Sequence, residues 1–491
     1  MVPLAASGAL GMALMAPTSV SAQTAVMVEA GNQELRDDIQ WLIDRKIIDI
    51  TASTWPLPLS ALEKAMEGRK KKGLSRGDVH ALLAVHRYIE QQRKTSFGLV
   101  AQFNSDATPQ LGFASQSRAK ATGGVYLQGS TGRLAGKLQA NGLIDPITGK
   151  QSKFNVEGSY LAASGLGQVI YAGQIAHWWG PGQDGSLNWG NSATAIPGLG
   201  LQRAEQTAFK SPWLSWIGPW GYDLFIGQMQ HDTAVPDARV LNMRLFARPF
   251  SGLELGASRF IQWGGKGRPN NLGSLWDALT GNSNDPNVAD PSNELAGFDA
   301  RYTFPLWGNP LTVYAQLAGE DEAGGFPSHY LSQVGTEFKH MLGSSRLQWH
   351  AEAADTTASR IFGLGDGMRG VAYSHGTYKN GLYHDGLPIG HPIGGTGQLL
   401  SAGVTIIPDD FRYSSRYSFR ILRAEVNETS QAINQAFPSH SKWYGGEFAY
   451  SWVIRPATFR VGFTLLRSQQ GPVNDGFSFM LGMNVPLAVL D

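Results

Sequence analysis

From about residue 96 onward, apolar residues recur at every second position, and the positions between them are polar or charged. In LTVYAQLAGE, Leu311, Val313, Ala315 and Leu317 share one face; Thr312, Tyr314, Gln316 and Glu320 take the other. RLAGKLQAN sets Leu134, Leu138 and Ala140 against Arg133, Lys137, Gln139 and Asn141. RLQWHAEAA sets Leu347, Trp349, Ala351 and Ala353 against Arg346, Gln348, His350 and Glu352. NMRLFAR opposes Met243, Leu245 and Ala247 to Asn242, Arg244 and Arg248, and EFAYSWVIR opposes Phe448, Tyr450, Trp452 and Ile454 to Glu447 and Ser451. A period of two is that of a β-strand, whose successive side chains point to opposite faces. A soluble sandwich and a membrane barrel both alternate in this way. A sandwich of this length divides into domains, yet no linker interrupts the pattern. A closed barrel also removes exposed strand edges. Roughly 395 residues at ~22 per strand with its loops predict about eighteen antiparallel strands, near porin size.

Composition agrees with an all-β transmembrane barrel. Hydrophobic residues make up 42% of the 491 residues, but no run of eighteen apolar residues follows the N-terminal segment. Membrane-spanning helices are thereby excluded. Charged residues are only 16% and glycines number 60. A net charge of +1 carries no nucleic-acid footprint. Cysteine is absent, which removes disulfides, thiolate metal sites and thiol nucleophiles.

The first 22 residues read as a secretory signal, with an apolar stretch at Leu10–Ala16 and small residues at Val20-Ser21-Ala22, although a basic start is missing. Pro3 and Pro17 disfavour an ordinary helix there. Residues 23–95 then form a head of helical period, and 96–491 the barrel. Leu35, Ile39, Leu42, Ile43 and Ile47 recur at helical spacing, with Asp37, Asp38, Asp44 and Arg45 between them. A turn is expected at 51–56. Ser60 with Glu63 predicts a capping box for a second helix that Gly68 closes. Ser75 with Asp78 opens a third, in which Val79, Leu82, Leu83, His86 and Ile89 share a side. The basic run at 69–72 reads as a solvated turn. Three short helices make a marginal core, so the head is expected to lean on the barrel. The long stretches 264–296 and 355–396 exceed hairpins and predict extracellular loops. Pro486 interrupts the final strand pattern, which predicts that the strand stops near Val485.

The densest chemistry lies in HWWGPGQDGSLNWGNSATAIPGLGLQR, residues 177–203. Trp178 and Trp179, beside His177, offer flat faces that stack on sugar rings. Asp184, Asn188, Asn191 and Arg203 supply directional hydrogen bonds to hydroxyls. The same residues equally suit an aromatic plug that fills the lumen. In YKNGLYHDGLPIGHPIGGTG, Tyr383, His384, Asp385 and His391 sit among glycines, with His375 nearby, but their spacing matches no zinc site. A shaped loop closing a barrel mouth is the simpler reading. The Asn/Asp-rich 281–294 stretch lacks EF-hand order and reads as a surface loop. No metal or cofactor is expected. Glycoside hydrolysis needs two facing carboxyls; Asp184, Glu205 and Glu320–Glu322 are the available acids. No nucleophile elbow, P-loop or zinc-protease motif occurs, so an enzyme is not expected.

Residues 177–203 resemble the signature of the capsule assembly Wzi family, in which Trp-Trp-Gly-Pro-Gly precedes an acid and Gly-Ser-Leu. The head segment LRDDIQWLIDRKIIDITASTWPLPLSALEKA and the later GLYHDGLPIGHPIGG are similar to that family too. Asn191-Ser192-Ala193-Thr194 and Gly394-Gly395-Thr396 depart from its usual wording. The resemblance implies an eighteen-stranded outer-membrane barrel with a small helical bundle at its periplasmic end. It implies a lectin-like, non-enzymatic role: holding nascent capsular polysaccharide at the cell surface beside the export machinery. The expected partners are surface polysaccharide and outer-membrane lipid, with the chain a monomer. The alternative is a porin whose pore is lined by Arg133, Lys137, Arg244 and Arg248; an outer-membrane hydrolase comes behind it.

Overall fold

The computed structural model describes residues 24–106, 111–114, 118–280, 292–323, 326–359, 367–410, 414–427, 434–470 and 473–490. The signal segment and most of the 281–294 stretch lie outside the described residues. From Thr95–Asn104 to Gly476–Leu490, eighteen antiparallel strands close on themselves, and the two-residue strand Phe154–Asn155 pairs beside them. Along each strand the alternation sets the faces. Thr312, Tyr314 and Gln316 point inward and are buried, while Val313 between them is exposed. Leu134, Leu138, Leu245, Phe298, Leu400, Ile421 and Phe477 stand exposed on the outside. An apolar outer face with a polar interior is the surface of a barrel solvated by lipid. No helix among the described residues is long and apolar enough to cross a membrane.

Turns at 132–133, 166–167, 251–252, 307–308, 343–344 and 455–456 gather at one end, where the first barrel strand begins and the last one ends. The connections 147–159, 174–197 and 229–238, with the described parts of those that follow Trp263 and Ser359, lie at the other, and 204–219 is a longer connection at the short-turn end. In outer-membrane barrels the short turns are periplasmic and the long loops extracellular. Near the short turns Tyr417, Tyr450, Trp452 and Phe459 stack in a row, with centroids 4.7 to 5.5 Å apart. Aromatic rings of this kind mark the membrane–water boundary.

The head consists of α1 (Gln33–Asp44), α2 (Leu59–Glu67) and α3 (Arg76–Gln92). It does more than lean on the barrel, because α1 is inside it. The aliphatic stripe of α1 is buried, and so are Arg36, Asp37, Asp38, Gln40 and Asp44 on its polar face. That polar face meets the inward cations of the wall. Arg301 donates to Asp44 through two nitrogens (2.6 and 2.7 Å), and Lys339 Nζ lies 2.5 Å from the same carboxylate. Arg346 and Arg416 each reach Asp38 at 2.6 Å. An amphipathic helix fits a polar lumen for the reason it would fit water: its charges have partners.

Four expectations need correction. The turn at 51–56 contains a two-residue strand, Thr54–Trp55, which pairs with Trp178–Trp179. The Ser60 capping box does not form; Ser60 Oγ donates to the Ala204 carbonyl (2.6 Å) and Glu63 pairs with Arg93. The helix begins at Leu59 with Pro58 at its N-cap, so Ser60 lies inside the first turn and cannot cap it. On α3 the capping box of Ser75 and Asp78 is present, but the buried face is Ala81, Val85 and Ile89, whereas Val79, Leu83 and His86 are exposed. The buried stripe starts at Asp78, which accepts the Trp41 indole N–H (2.9 Å) and pairs with Arg45. Finally, the last strand continues through Pro486 to Leu490. The register shifts between Pro486 and Ala488, and such a bulge accommodates a residue without an N–H.

Candidate functional site

The connection 174–197 turns into the barrel instead of rising from it. Its Trp178-Trp179 pair forms a strand with Thr54–Trp55, so the two rings point to opposite sides. Trp178 joins Phe113 edge-on at 5.4 Å, Phe113 meets Trp55 at 5.2 Å, and the Arg36 guanidinium lies 4.4 Å over Phe113. Trp179 meets Trp189 edge-on at 4.9 Å, and His177 stacks on Trp189 at 3.8 Å. Phe225 closes the second cluster. Trp179 Nε1 donates to Asp223 at 3.1 Å. His177 Nε2 contacts the Tyr171 hydroxyl at 2.9 Å, and burial pushes its imidazole down to about 3. It is therefore neutral.

The glycines shape the turn that follows. Gly180 has φ +147°, and a side chain there would meet Gln316. Gln316 instead donates to the Trp179 carbonyl (2.7 Å) and accepts from the Leu187 N–H (2.9 Å). Arg36 Nη2 donates to the Gly182 carbonyl at 2.7 Å. The Gln183 and Asp184 N–H groups donate to the Glu352 carboxyl at 2.7 and 3.1 Å. The Asp184 side chain ends in the wall, bonded to Ser401 at 2.5 Å, with His350 at 3.3 Å and Arg420 in direct contact. Burial alone would raise this carboxyl; the Arg420 and His350 charges reverse that and hold it below the ordinary range. Asn188 donates to Ser258 at 2.5 Å, in space cleared by Gly297. Asn191 donates to the Phe113 carbonyl at 2.8 Å.

The second motif packs on the first. Gly190 N–H donates to the Ile389 carbonyl (2.7 Å), and Tyr373 bridges the Leu187 carbonyl (2.7 Å) and the His391 N–H (3.1 Å). Gly185 lies against the His391 ring, which is wholly buried, and burial pushes that ring down to about 3. Tyr383 is buried and its hydroxyl accepts the Gly395 N–H (3.1 Å). His384 contacts the Thr194 carbonyl through Nδ1 at 2.8 Å. Asp385, part-buried, lines the outer mouth with His384.

His177, Trp178, Trp179, Asp184, Asn188, Asn191, Tyr383, His384 and His391 are therefore brought together, all buried. Arg203 is not among them. It ends the strand Gly198–Arg203, stacks 4.2 Å over Trp220 and donates to the Thr207 and Trp220 carbonyls. The pore cations are also placed differently. Arg133 occupies an exposed turn. Arg244 is bound to Asp299, Arg248 to Glu254, and Lys137 to Glu29 of the head. The acids considered for hydrolysis are scattered: Asp184 is in the lumen, Glu205 follows the strand ending at Arg203, and the side chains of Glu320, Asp321 and Glu322 lie outside the described residues. No group of three or more metal-ligating side chains occurs among the described residues. Sequence reasoning missed Phe113, Gln316, Tyr373 and Glu352. Each belongs to an ordinary-looking strand or loop, and only the barrel's closure brings it to the insert.

The sequence pattern described as "Capsule assembly protein Wzi" matches residues 93–476. An uncharacterized 55.8 kDa protein in the cps region of Klebsiella pneumoniae is 36% identical over 446 residues, which span 90% of this chain and 86% of that one. The Escherichia coli outer-membrane protein Wzi, involved in group 1 capsule assembly and described as a carbohydrate-binding β-barrel, is 32% identical with a TM-score of 0.84. That likeness covers 94% of this chain and 100% of the solved one. The chain belongs to the capsule assembly Wzi family.

Proposed function

We infer that this barrel binds exported surface polysaccharide at the outer face of the outer membrane and retains it there, aiding capsule assembly without catalysing a reaction. The observation that carries this reading is the occupied lumen, in which α1 and the 177–197 insert leave a cavity of about 210 Å³. The α1 carboxylates occupy the inward cations from the short-turn side, and the 177–197 insert packs against α1 and the wall. A polymer is then met at the outer mouth and its loops, not threaded through the wall. The carbohydrate-binding description of the Escherichia coli relative supports the same reading. The protein acts as a monomer in outer-membrane lipid, beside the export machinery. The insert's tryptophans serve as lumen packing, and the polar residues at the mouth face sugar.

Deleting the gene tests this. Polysaccharide is expected in the medium in place of the cell surface, with total synthesis unchanged. Loss of synthesis, or attachment as in the parent, overturns it.

A further inference from the structure

A second part of the mouth has chemistry of its own. Between the connections 147–159, 174–197, 229–238 and the 383–388 hairpin lies a cavity of about 620 Å³. That is within the ~300–1,000 Å³ typical of small-ligand sites. Its polar groups are mostly side-chain amides, with two imidazoles, His231 and His384. His384 engages the Thr194 carbonyl through Nδ1 (2.8 Å), which makes Nδ1 the protonated nitrogen and leaves Nε2 as an acceptor. Gln230 Oε1 is buried with no partner among the described residues, while its Nε2 reaches the Tyr383 carbonyl. Gln174 uses Nε2 on the Ala195 carbonyl (2.8 Å), which leaves Oε1 for the cavity. Gln151 and Asn155 use their oxygens on backbone N–H groups and keep their NH₂ donors. Leu199 and Met229 supply an apolar side.

Paired amide donors and acceptors beside a small apolar surface are what vicinal hydroxyls and a sugar C–H face require. The charges then select among sugars. Among the described residues the lining contains two carboxylates, Asp237 and Asp385, and no lysine or arginine. Asp237 is engaged by His231 at 2.8 Å and by Gln228 at 3.3 Å. A uronic acid entering here would bring its carboxylate to carboxylates, with no guanidinium or ammonium in the lining to meet it. We propose that this cavity is a subsite for neutral sugar residues of the retained polymer, with His384 Nε2 and Gln230 Oε1 accepting from its hydroxyls and uronic acids excluded. This rests on the polysaccharide-retention reading and gives that reading its sugar class.

The test is a glycan array carrying neutral and uronate-containing oligosaccharides, probed with the full chain in detergent. Binding to neutral glycans is expected, and Gln230→Leu should lower it at least tenfold. Gln228→Lys, at the exposed rim, should add signal on uronate glycans. Folding of each variant is read from its heat-dependent gel mobility. Signal confined to uronate glycans, no signal on any glycan, or undiminished neutral binding by folded Gln230→Leu overturns the subsite. The retention reading is scored separately in cells. If deletion releases polymer and Gln230→Leu restores full attachment, the subsite fails and retention stands. If deletion leaves attachment unchanged, retention itself fails.

Discussion

Asp44→Asn tests whether charge holds the helical head in the lumen. The Asp44 carboxylate takes two bonds from Arg301, one from Lys339 at 2.5 Å and one from Thr303 at 3.1 Å, and it is buried. Asparagine keeps the shape but turns an NH₂ donor toward cationic donors and removes the compensating charge. Breaking a buried ion pair from one side costs ~3–5 kcal/mol. Glu337 still holds Arg301 at 3.0 Å and Lys339 at 2.6 Å, so the lower end, about 3 kcal/mol, applies. At 1.4 kcal/mol per decade this is roughly a hundredfold more undocked head. Hydrogen exchange of α1 amides in micelles reads that opening. The α1 amides should exchange about a hundredfold faster, and the barrel strands as before. Asp49→Asn is the control, since Asp49 pairs with Arg248 at 3.1 Å from an exposed position. An exposed partner is worth ~0–1 kcal/mol, about fivefold at most. Unchanged α1 exchange in Asp44→Asn, or equal changes in both variants, refutes a charge clasp. Burial tends to raise the Asp44 carboxyl, but Arg301 and Lys339 leave it below its ordinary value. A lowered carboxyl contributes stability above the unfolded value and loses it as pH falls through the folded one. The clasp should therefore survive acidification to about pH 4.

Trp179→Ala empties a buried site and should lower stability to urea by ~3–5 kcal/mol; unchanged stability with lost glycan binding would make the ring a sugar platform. Gly185→Ala drives a methyl into the His391 ring and should cost ~1–3 kcal/mol. His391→Ala in the same chain should recover part of that loss, and additive effects in the double variant would contradict the contact. Burial holds His177 and His391 down to about 3, so the unfolded chain binds their protons first and stability falls as pH drops below the ordinary histidine value. Between about pH 6.5 and 5 each contributes roughly 2 kcal/mol to that fall. Asp37 opposes them, because burial raises it to about 6 and protonation from about pH 6 downward favours the folded state. His391→Gln should flatten the measured slope of the urea midpoint against pH; an unaltered slope contradicts the assignment. In planar bilayers the wild-type chain should conduct almost nothing, and a stable open channel would refute the occupied lumen.

The barrel was legible because lipid imposes one rule on all eighteen strands: apolar outside at every second residue. Val313 and Tyr314 take opposite faces whatever the neighbouring strands carry. The head was legible as helices and illegible in its setting. The sequence shows Asp37, Asp38 and Asp44 as charges between the apolar positions of α1, and not what lies opposite them. Arg301, Lys339, Arg346 and Arg416 are far along the chain, with Arg301 separated from Asp44 by 257 residues. The α3 face failed for a related reason. Two apolar stripes run along that helix, and the buried one, through Ala81, Val85 and Ile89, starts at Asp78, which takes the Trp41 indole N–H.

The two glycine-rich motifs illustrate how far residue type can go in assigning a role. Tryptophans among glycines and amides suit a sugar platform and a lumen plug equally, since both need flat apolar surface and satisfied polar groups. Burial separates the two, and burial here depends on the head. Trp178 is covered because Arg36 and Trp55 arrive from a segment far earlier in the chain. In the second motif His384 borders the mouth cavity while His391 is sealed against Gly185. One glycine-rich loop thus contributes both to the packed interior and to the wall of the cavity above it. A change that loosens the insert should reach the mouth through Thr194, whose carbonyl fixes the His384 ring. Losing glycan binding in Asp44→Asn, with the mouth residues intact, would show that the plug positions the sugar site without touching it.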